Sequence, residues 1–249
     1  MSLPLSDAVA PRDRPDPPAT DVVTASRPRP SPRFVPGLGL DEREWQPVLH
    51  ALGTGAAVAL LPSLGRPARR GSDLRTQAQA ERLLGHEALS GTGDLVLVGH
   101  SASCSVVVEA ARRSDRVVGL VLVGPVDPHA GSWPRLLSDW LRTAAHELHP
   151  QARRLVPQYL RTGLPSILHG MDDVRRYPID RSLARLDLPV TVVRGDQDRI
   201  ADRAWCAHLA AVGRAPLVDV AGGAHMIVLT HPDQVAAAVA GVVERTSPA

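Results

Sequence analysis

The stretch VLVGHSASC, residues 96–104, runs an apolar segment straight into Gly99-His100-Ser101-Ala102-Ser103. An apolar run that ends in Gly-X-Ser and continues as a helix reads as a buried strand, a sharp turn and a helix. That turn exposes the Ser101 hydroxyl and aims the N–H of Ala102 at the same space. Taken alone, the pattern is also that of an ordinary serine capping a helix. Its meaning therefore rests on what the remaining chain places beside it.

Outward from this segment, short apolar runs alternate with helical patterns. Before it come Arg33-Phe34-Val35, a helical pattern holding Trp45, Val48, Leu49 and Leu52, the run Ala57–Leu61, and a helix from about Asp73 to Leu84. After it come Val117–Val123, Val190–Val193, Leu217–Val220 and a last helix with Val235, Val239, Val242 and Val243 on one face. Continuous Val/Leu runs without polar alternation are the mark of strands covered on both faces, so the fold class is α/β with a mainly parallel central sheet flanked by helices. Ligands of such sheets sit at the carboxyl ends of the strands.

The expected organisation has three parts. Residues 1–30, rich in Pro, Arg, Asp and Ser, read as a disordered or loosely packed arm. Residues 31–127 and 186–249 form the core, and residues 128–185 form a helical cap insertion. Two apolar stripes run through the insertion. One holds Trp133, Leu136, Leu137, Trp140, Leu141 and Ala144, and the other Leu155, Val156, Tyr159 and Leu160.

Composition narrows the function classes. The 28 basic and 26 acidic residues leave a net charge of +2 with the signs interspersed, so no basic stripe for nucleic acid and no polybasic membrane patch is present. Every basic residue is Arg, and Lys and Asn do not occur, which reflects codon bias and not function. No run approaches the ~18 apolar residues of a membrane span, and the first residues carry Asp and Arg where a secretory signal needs an apolar core. The expectation is a cytoplasmic protein with a small-molecule substrate. Cys104 and Cys206 fall in helices after two different strands and read as reduced, buried thiols.

A serine nucleophile needs a base, and the base needs an orienting acid. Asp198 lies just past the strand Val190–Val193, and His225 just past Leu217–Val220. All three groups then emerge at one edge of a parallel sheet, in the order Ser101, Asp198, His225. Asp196 and Asp127 stay open as alternative acids, Asp196 reading as a brace of its turn. His231, before Pro232, reads as structural, and His100 as a pocket wall or packed side chain. His146 and His149 can share a helix face but have no third ligand in view, so no metal is expected.

With VPGLGLDEREW (35–45), GHSAS (99–103), GDQDRI (195–200) and GGAHMIVLTHPDQV (222–235), the chain resembles cap-bearing, single-domain α/β-hydrolase fold proteins from about Pro32 to Glu244. The resemblance implies Ser101 as nucleophile, His225 as general base and then acid, Asp198 as the orienting carboxylate, and the N–H groups of Leu38 and Ala102 as an oxyanion hole. It also places the alternative acid at Asp127. Three departures stand out. Pro36-Gly37 replaces the usual His-Gly, whose histidine often braces the turn; Ser103 replaces the usual Gly; and the front strands are nearly absent, leaving about six strands. The implied activity is cofactor-free serine hydrolysis of an ester-like bond in a small to medium, mostly apolar substrate, with His100, Trp133, Leu137 and Trp140 as candidate substrate-binding residues. Acyl transfer to another acceptor, C–C cleavage, lyase chemistry and ligand binding with little turnover stay open.

Overall fold

The computed structural model describes residues 28–53, 56–128, 138 and 152–248. In chain order its strands are β1 (Ser31–Val35), β2 (Ala57–Val58), β3 (Leu61–Pro62), β4 (Gly65–Arg66), β5 (Leu95–His100), β6 (Val117–Val123), β7 (Val190–Gly195) and β8 (Leu217–Val220). Its helices are α1 (Gln46–Leu52), α2 (Thr76–Leu84), α3 (Ser103–Ala111), α4 (Ala152–Thr162), α5 (Leu164–Arg176), α6 (Ile179–Leu183), α7 (Arg203–Val212), α8 (Ile227–Thr230) and α9 (Pro232–Thr246). Six strands form one sheet in the order β2-β1-β5-β6-β7-β8, and every pairing is parallel.

The apolar runs are continuous because both faces of the sheet are covered. Leu95 and Leu97 of β5, Leu120 and Leu122 of β6 and Val192 of β7 face one core with α2, α3 and α7. Val96, Val98, Val121, Val123 and Val193 face the other, with Val48 of α1 and Val235, Val239 and Val242 of α9. The period-two alternation of a strand is present, but apolar residues occupy both phases. Cys104 and Cys206 are free and buried, and burial pushes both thiols up.

One expected strand is shorter than the sequence indicates. Of Ala57–Leu61 only the first residues join the sheet, ending with the Ala59 N–H donating to the Phe34 carbonyl at 2.8 Å. Leu61–Pro62 leaves to pair in parallel with Gly65–Arg66, and Ser63 in the link between them has a φ of 63°. The Ser63 carbonyl accepts the N–H of Gly39 at 2.8 Å, which ties this turn to the segment after β1.

The chain moves from β1 outward to β2 and then crosses to β5 on the other side of β1. The crevice of such a sheet opens where strand order reverses, here at the carboxyl ends of β1 and β5. Val35 pairs with Gly99, so the segments holding Leu38 and Ser101 leave the sheet side by side. Between β6 and β7 lie α4, α5 and α6, the described part of the helical insertion. Among the described residues no helix is long and apolar enough to cross a membrane. The arm expected over residues 1–30 lies outside the described residues as far as residue 27.

Leu97→Ala empties space in a wholly buried position and is expected to lower the unfolding free energy by about 2–5 kcal/mol. Leu160, 77% exposed, serves as control, and Leu160→Ala is expected to stay within about 0.5 kcal/mol in the same urea titration.

Candidate active site

β5 ends at His100 and the next residue, Ser101, has a φ of 56°, in the left-handed region that side chains with a Cβ seldom adopt. Three bonds hold it there. The Ser101 N–H donates to the Val123 carbonyl of β6 at 2.8 Å, the Cys104 N–H donates to the Ser101 carbonyl at 3.1 Å, and the His100 N–H donates to the Ser103 hydroxyl at 2.8 Å. α3 then returns so close to the strand that a Cβ on Gly99 would stand 2.9 Å from the Ser103 carbonyl. Ser103, where the family usually has Gly, fits because its hydroxyl lies 2.8 Å from the Val35 carbonyl and 2.9 Å from that of His100. It has one proton to donate to one of them, and so links the end of β1 to the elbow.

The structure brings Ser101, His225 and Asp198 together. His225 Nε2 lies 2.9 Å from Ser101 Oγ, and His225 Nδ1 lies 2.7 Å from Asp198 Oδ2. The second oxygen of Asp198 accepts the N–H groups of Ile200 at 2.8 Å and Ala201 at 3.0 Å. Burial pushes the Asp198 carboxyl up, but the facing His225 ring and these donors together outweigh it and hold the carboxyl below its usual range. A carboxylate only accepts, so Nδ1 carries the ring proton and Nε2 presents its lone pair to the Ser101 O–H. In this line the imidazole can take the serine proton as the oxygen attacks.

Main-chain bonds stitch the acid turn to the histidine loop: Asp196 N–H to the Val220 carbonyl at 3.0 Å and Gln197 N–H to the Gly223 carbonyl at 2.9 Å. The Asp196 carboxylate accepts the Gly222 N–H at 2.9 Å, which is the bracing role the sequence suggested. The Asp198 carboxylate occupies the Nδ1 side of the His225 ring, the place an orienting acid takes. Arg194 was missed by the sequence reading. Its buried guanidinium donates to the carbonyls of Ala201 at 2.9 Å and Asp198 at 3.0 Å, and meets Asp219 at 2.7 Å. A lone arginine inside the apolar run VTVVRG was the available signal.

Of the two places the sequence allows His100, pocket wall or packed side chain, the structure gives the packed one. Its side chain is wholly buried, with Nδ1 bonded to the Glu44 carboxylate and Nε2 3.1 Å from the His225 carbonyl, so it has no surface to offer a substrate. Glu44 in turn accepts the Gly37 N–H at 2.8 Å. The N–H groups of Leu38 and Ala102 donate to no backbone acceptor among the described residues, and each stands within three residues of the paired Val35 and Gly99.

Part of the insertion covers this turn. A Cβ on Gly39 would stand 2.7 Å from the Tyr159 ring of α4, and one on Gly170 of α5 would stand 2.8 Å from Leu38 Cδ1. Gln158 accepts the Asp41 N–H at 2.7 Å, and the Thr162 hydroxyl donates to the Gly39 carbonyl at 3.2 Å. Leu160 departs from the expected apolar stripe: it is 77% exposed, on the side of α4 turned from the turn that Tyr159 packs on. Trp133, Leu137 and Trp140 lie outside the described residues, as do His146 and His149 and the side chains of Leu155 and Val156. Among the described residues no group of three or more His, Cys, Asp or Glu is placed to hold a metal ion.

The all-parallel sheet with a left-handed serine elbow at its switch point defines the α/β-hydrolase class of fold. The model of the Alpha/beta hydrolase family matches residues 34–238, most of the chain, and the protein belongs to that family. No curated protein matches the sequence. Among solved structures, a lipase-esterase related protein from Clostridium acetobutylicum is similar at 12% identity and a TM-score of 0.69, over 87% of this chain and 97% of its own. A serine hydrolase involved in carbazole degradation is similar at 15% identity and a TM-score of 0.62, over 89% and 93%. A bromoperoxidase from Bacillus anthracis is similar at 16% identity and a TM-score of 0.66, over 88% and 93%. At these identities the likeness is one of fold.

Gly124 was also missed by the sequence reading. Its φ is 56°, and an added Cβ would stand 3.2 Å from His225 Cε1 and 3.5 Å from Asp198 Oδ2. Gly53, at a φ of 62° with nothing within 4 Å of an added Cβ, supplies the backbone control. Both Gly→Ala changes are expected to cost about 1–2 kcal/mol in thermal unfolding. Only Gly124→Ala is expected to slow the reaction of Ser101 with an organophosphonate, by about tenfold or more, because it displaces the imidazole.

Proposed function

We propose that the protein is a serine hydrolase that cleaves an ester-like bond, whether carboxylic ester, thioester or lactone, of a small to medium and mostly apolar substrate. The observation that carries this reading is the hydrogen-bonded line Asp198–His225–Ser101, at 2.7 and 2.9 Å, with its serine on a left-handed elbow. His225 Nε2 takes the Ser101 proton as Oγ bonds to the carbonyl carbon, and the carbonyl oxygen becomes an oxyanion between the N–H groups of Leu38 and Ala102. The tetrahedral intermediate collapses, the bond to the leaving group breaks, and His225 returns the proton to that group. Water, deprotonated by the same nitrogen, then attacks the acyl carbon, the bond to Oγ breaks, and His225 returns the proton to Ser101 as the acid leaves. Two amides that donate to no backbone acceptor among the described residues, at one end of adjacent strands, support the oxyanion assignment, and each such donor typically contributes ~10²–10³ in rate. Family membership supports the reaction class, and nothing in the chemistry of this line calls for a cofactor. The apolar stripes in the sequence of the insertion support a mostly apolar substrate. The reading includes a cytoplasmic location and a cap formed by residues 128–185.

A fluorophosphonate probe followed by intact mass is expected to give one adduct on the wild-type protein and none on Ser101→Ala or His225→Ala. Asp198→Asn is expected to keep the fold and lower turnover of a short p-nitrophenyl ester by about 10⁴, since the ring loses its tautomer. A wild-type protein that is folded and stays unlabelled would end this reading.

A further inference from the structure

The polar chain Gly37–Glu44–His100–His225 is not needed for the proton transfers above, yet it joins the two segments that carry them out. Both side chains of the Glu44–His100 pair are wholly buried. A buried carboxylate is retained only with partners, and this one has two: the Gly37 N–H at 2.8 Å and His100 Nδ1. On the far side of the ring, Nε2 lies 3.1 Å from the carbonyl of His225 itself. That carbonyl can only accept, so Nε2 carries a proton. The Nδ1–Glu44 contact then holds one more, and the pair is a closed donor–acceptor unit with no site left for a base. Packing fixes the ring as well. Trp45 meets it edge-on at 6.3 Å between ring centroids, the His225 ring stands at 4.9 Å, and a Cβ on Gly37 would come within 3.0 Å of Nδ1.

We propose that Glu44 and His100 are a pair of positioning residues that hold the Gly37-Leu38 turn and the His225 loop at one separation, so that the Leu38 N–H and the His225 imidazole meet the same reacting carbonyl. This takes over, from a helical turn seven residues downstream, the bracing that the missing histidine before Gly37 would give. The proposal rests on the hydrolase reading of Ser101, His225 and Asp198.

The bonding pattern predicts which substitution is tolerated. In Glu44→Gln the amide oxygen still accepts from Gly37 and the amide NH₂ donates to Nδ1, so the line to the His225 carbonyl stays complete. Glu44→Ala and His100→Phe break it. With p-nitrophenyl acetate, Glu44→Gln is expected to keep kcat within about threefold of wild type, whereas Glu44→Ala and His100→Phe lower kcat about 10- to 100-fold with KM within about twofold. Amide hydrogen exchange on the same samples is expected to lose protection at Gly37 and over residues 222–230 in the Ala and Phe variants, and to keep it in Gln. Wild-type kcat in folded Glu44→Ala, or an equal loss in Glu44→Gln, would overturn the proposal. If wild-type protein hydrolyses no ester, the hydrolase reading fails on its own and the exchange arm decides the pair: lost protection sustains it and unchanged protection overturns it. If the Ala and Phe variants do not fold, the ring ¹⁵N spectrum of the wild type decides, since a protonated Nε2 on His100 is required and a bare Nε2 contradicts the arrangement.

Discussion

Ser101 is held at a φ of 56°, a conformation that costs a residue with a Cβ on the order of 1–3 kcal/mol. The surroundings hold it: a β6 carbonyl takes its N–H, an α3 amide donates to its carbonyl, and α3 returns so close to the strand that a Cβ on Gly99 would meet the Ser103 carbonyl at 2.9 Å. Once that residue is fixed, the rest of the sheet edge must come to it. Parallel pairing does this without long loops, because β5, β6, β7 and β8 all end on the same side. The Val123 carbonyl that holds Ser101 is followed directly by Gly124, whose lack of a side chain leaves room for the His225–Asp198 pair. One strand end thus supports the serine and makes space for its partners.

Two hydrogen-bonded lines cross at His225. The ring line runs from Asp198 to Ser101, and the main-chain line runs from the His225 carbonyl through His100 and Glu44 to Gly37. The first sets the direction of proton movement and the second sets where the ring stands. Arg194 fixes the acid end by binding the carbonyls on both sides of the Asp198 turn, with Asp219 neutralising its buried charge. Low exposure makes each of these contacts stronger than it would be in water, and makes any unpaired member costly. The insertion bears on the same construction from outside, since α4 and α5 pack on Leu38 and Gly39.

Much of this edge was legible in the sequence because its signals are local. An apolar run followed by Gly-X-Ser marks the elbow, and an apolar run followed within a few residues by Asp or His marks each partner; such patterns need only neighbours in the chain. Glu44, Arg194 and the partners of His100 escaped because these contacts are distant in the chain: 56 residues separate Glu44 from His100, 125 separate His100 from His225, and 25 separate Arg194 from Asp219. His100 shows the difference plainly. Beside Ser101 in sequence it reads as a pocket wall or a packed side chain, and only the packing of Trp45 and Glu44 around it decides for the second. The break in Ala57–Leu61 was hidden for another reason, since Ser63 is not the residue usually found at a positive φ. Leu160 satisfies helical spacing yet faces solvent, because a stripe in sequence does not say how wide the covering surface is.

Hydrolysis by the Asp198–His225–Ser101 line requires a covalent acyl intermediate on Ser101. Rapid acid quenching of the protein during turnover of a short p-nitrophenyl ester, followed by peptide mass analysis, traps such an intermediate. An acyl group is expected on the peptide carrying Ser101, appearing within the first turnover and lost once the substrate is consumed. Turnover with an unmodified Ser101, or with the acyl group on another side chain, would contradict hydrolysis by that line.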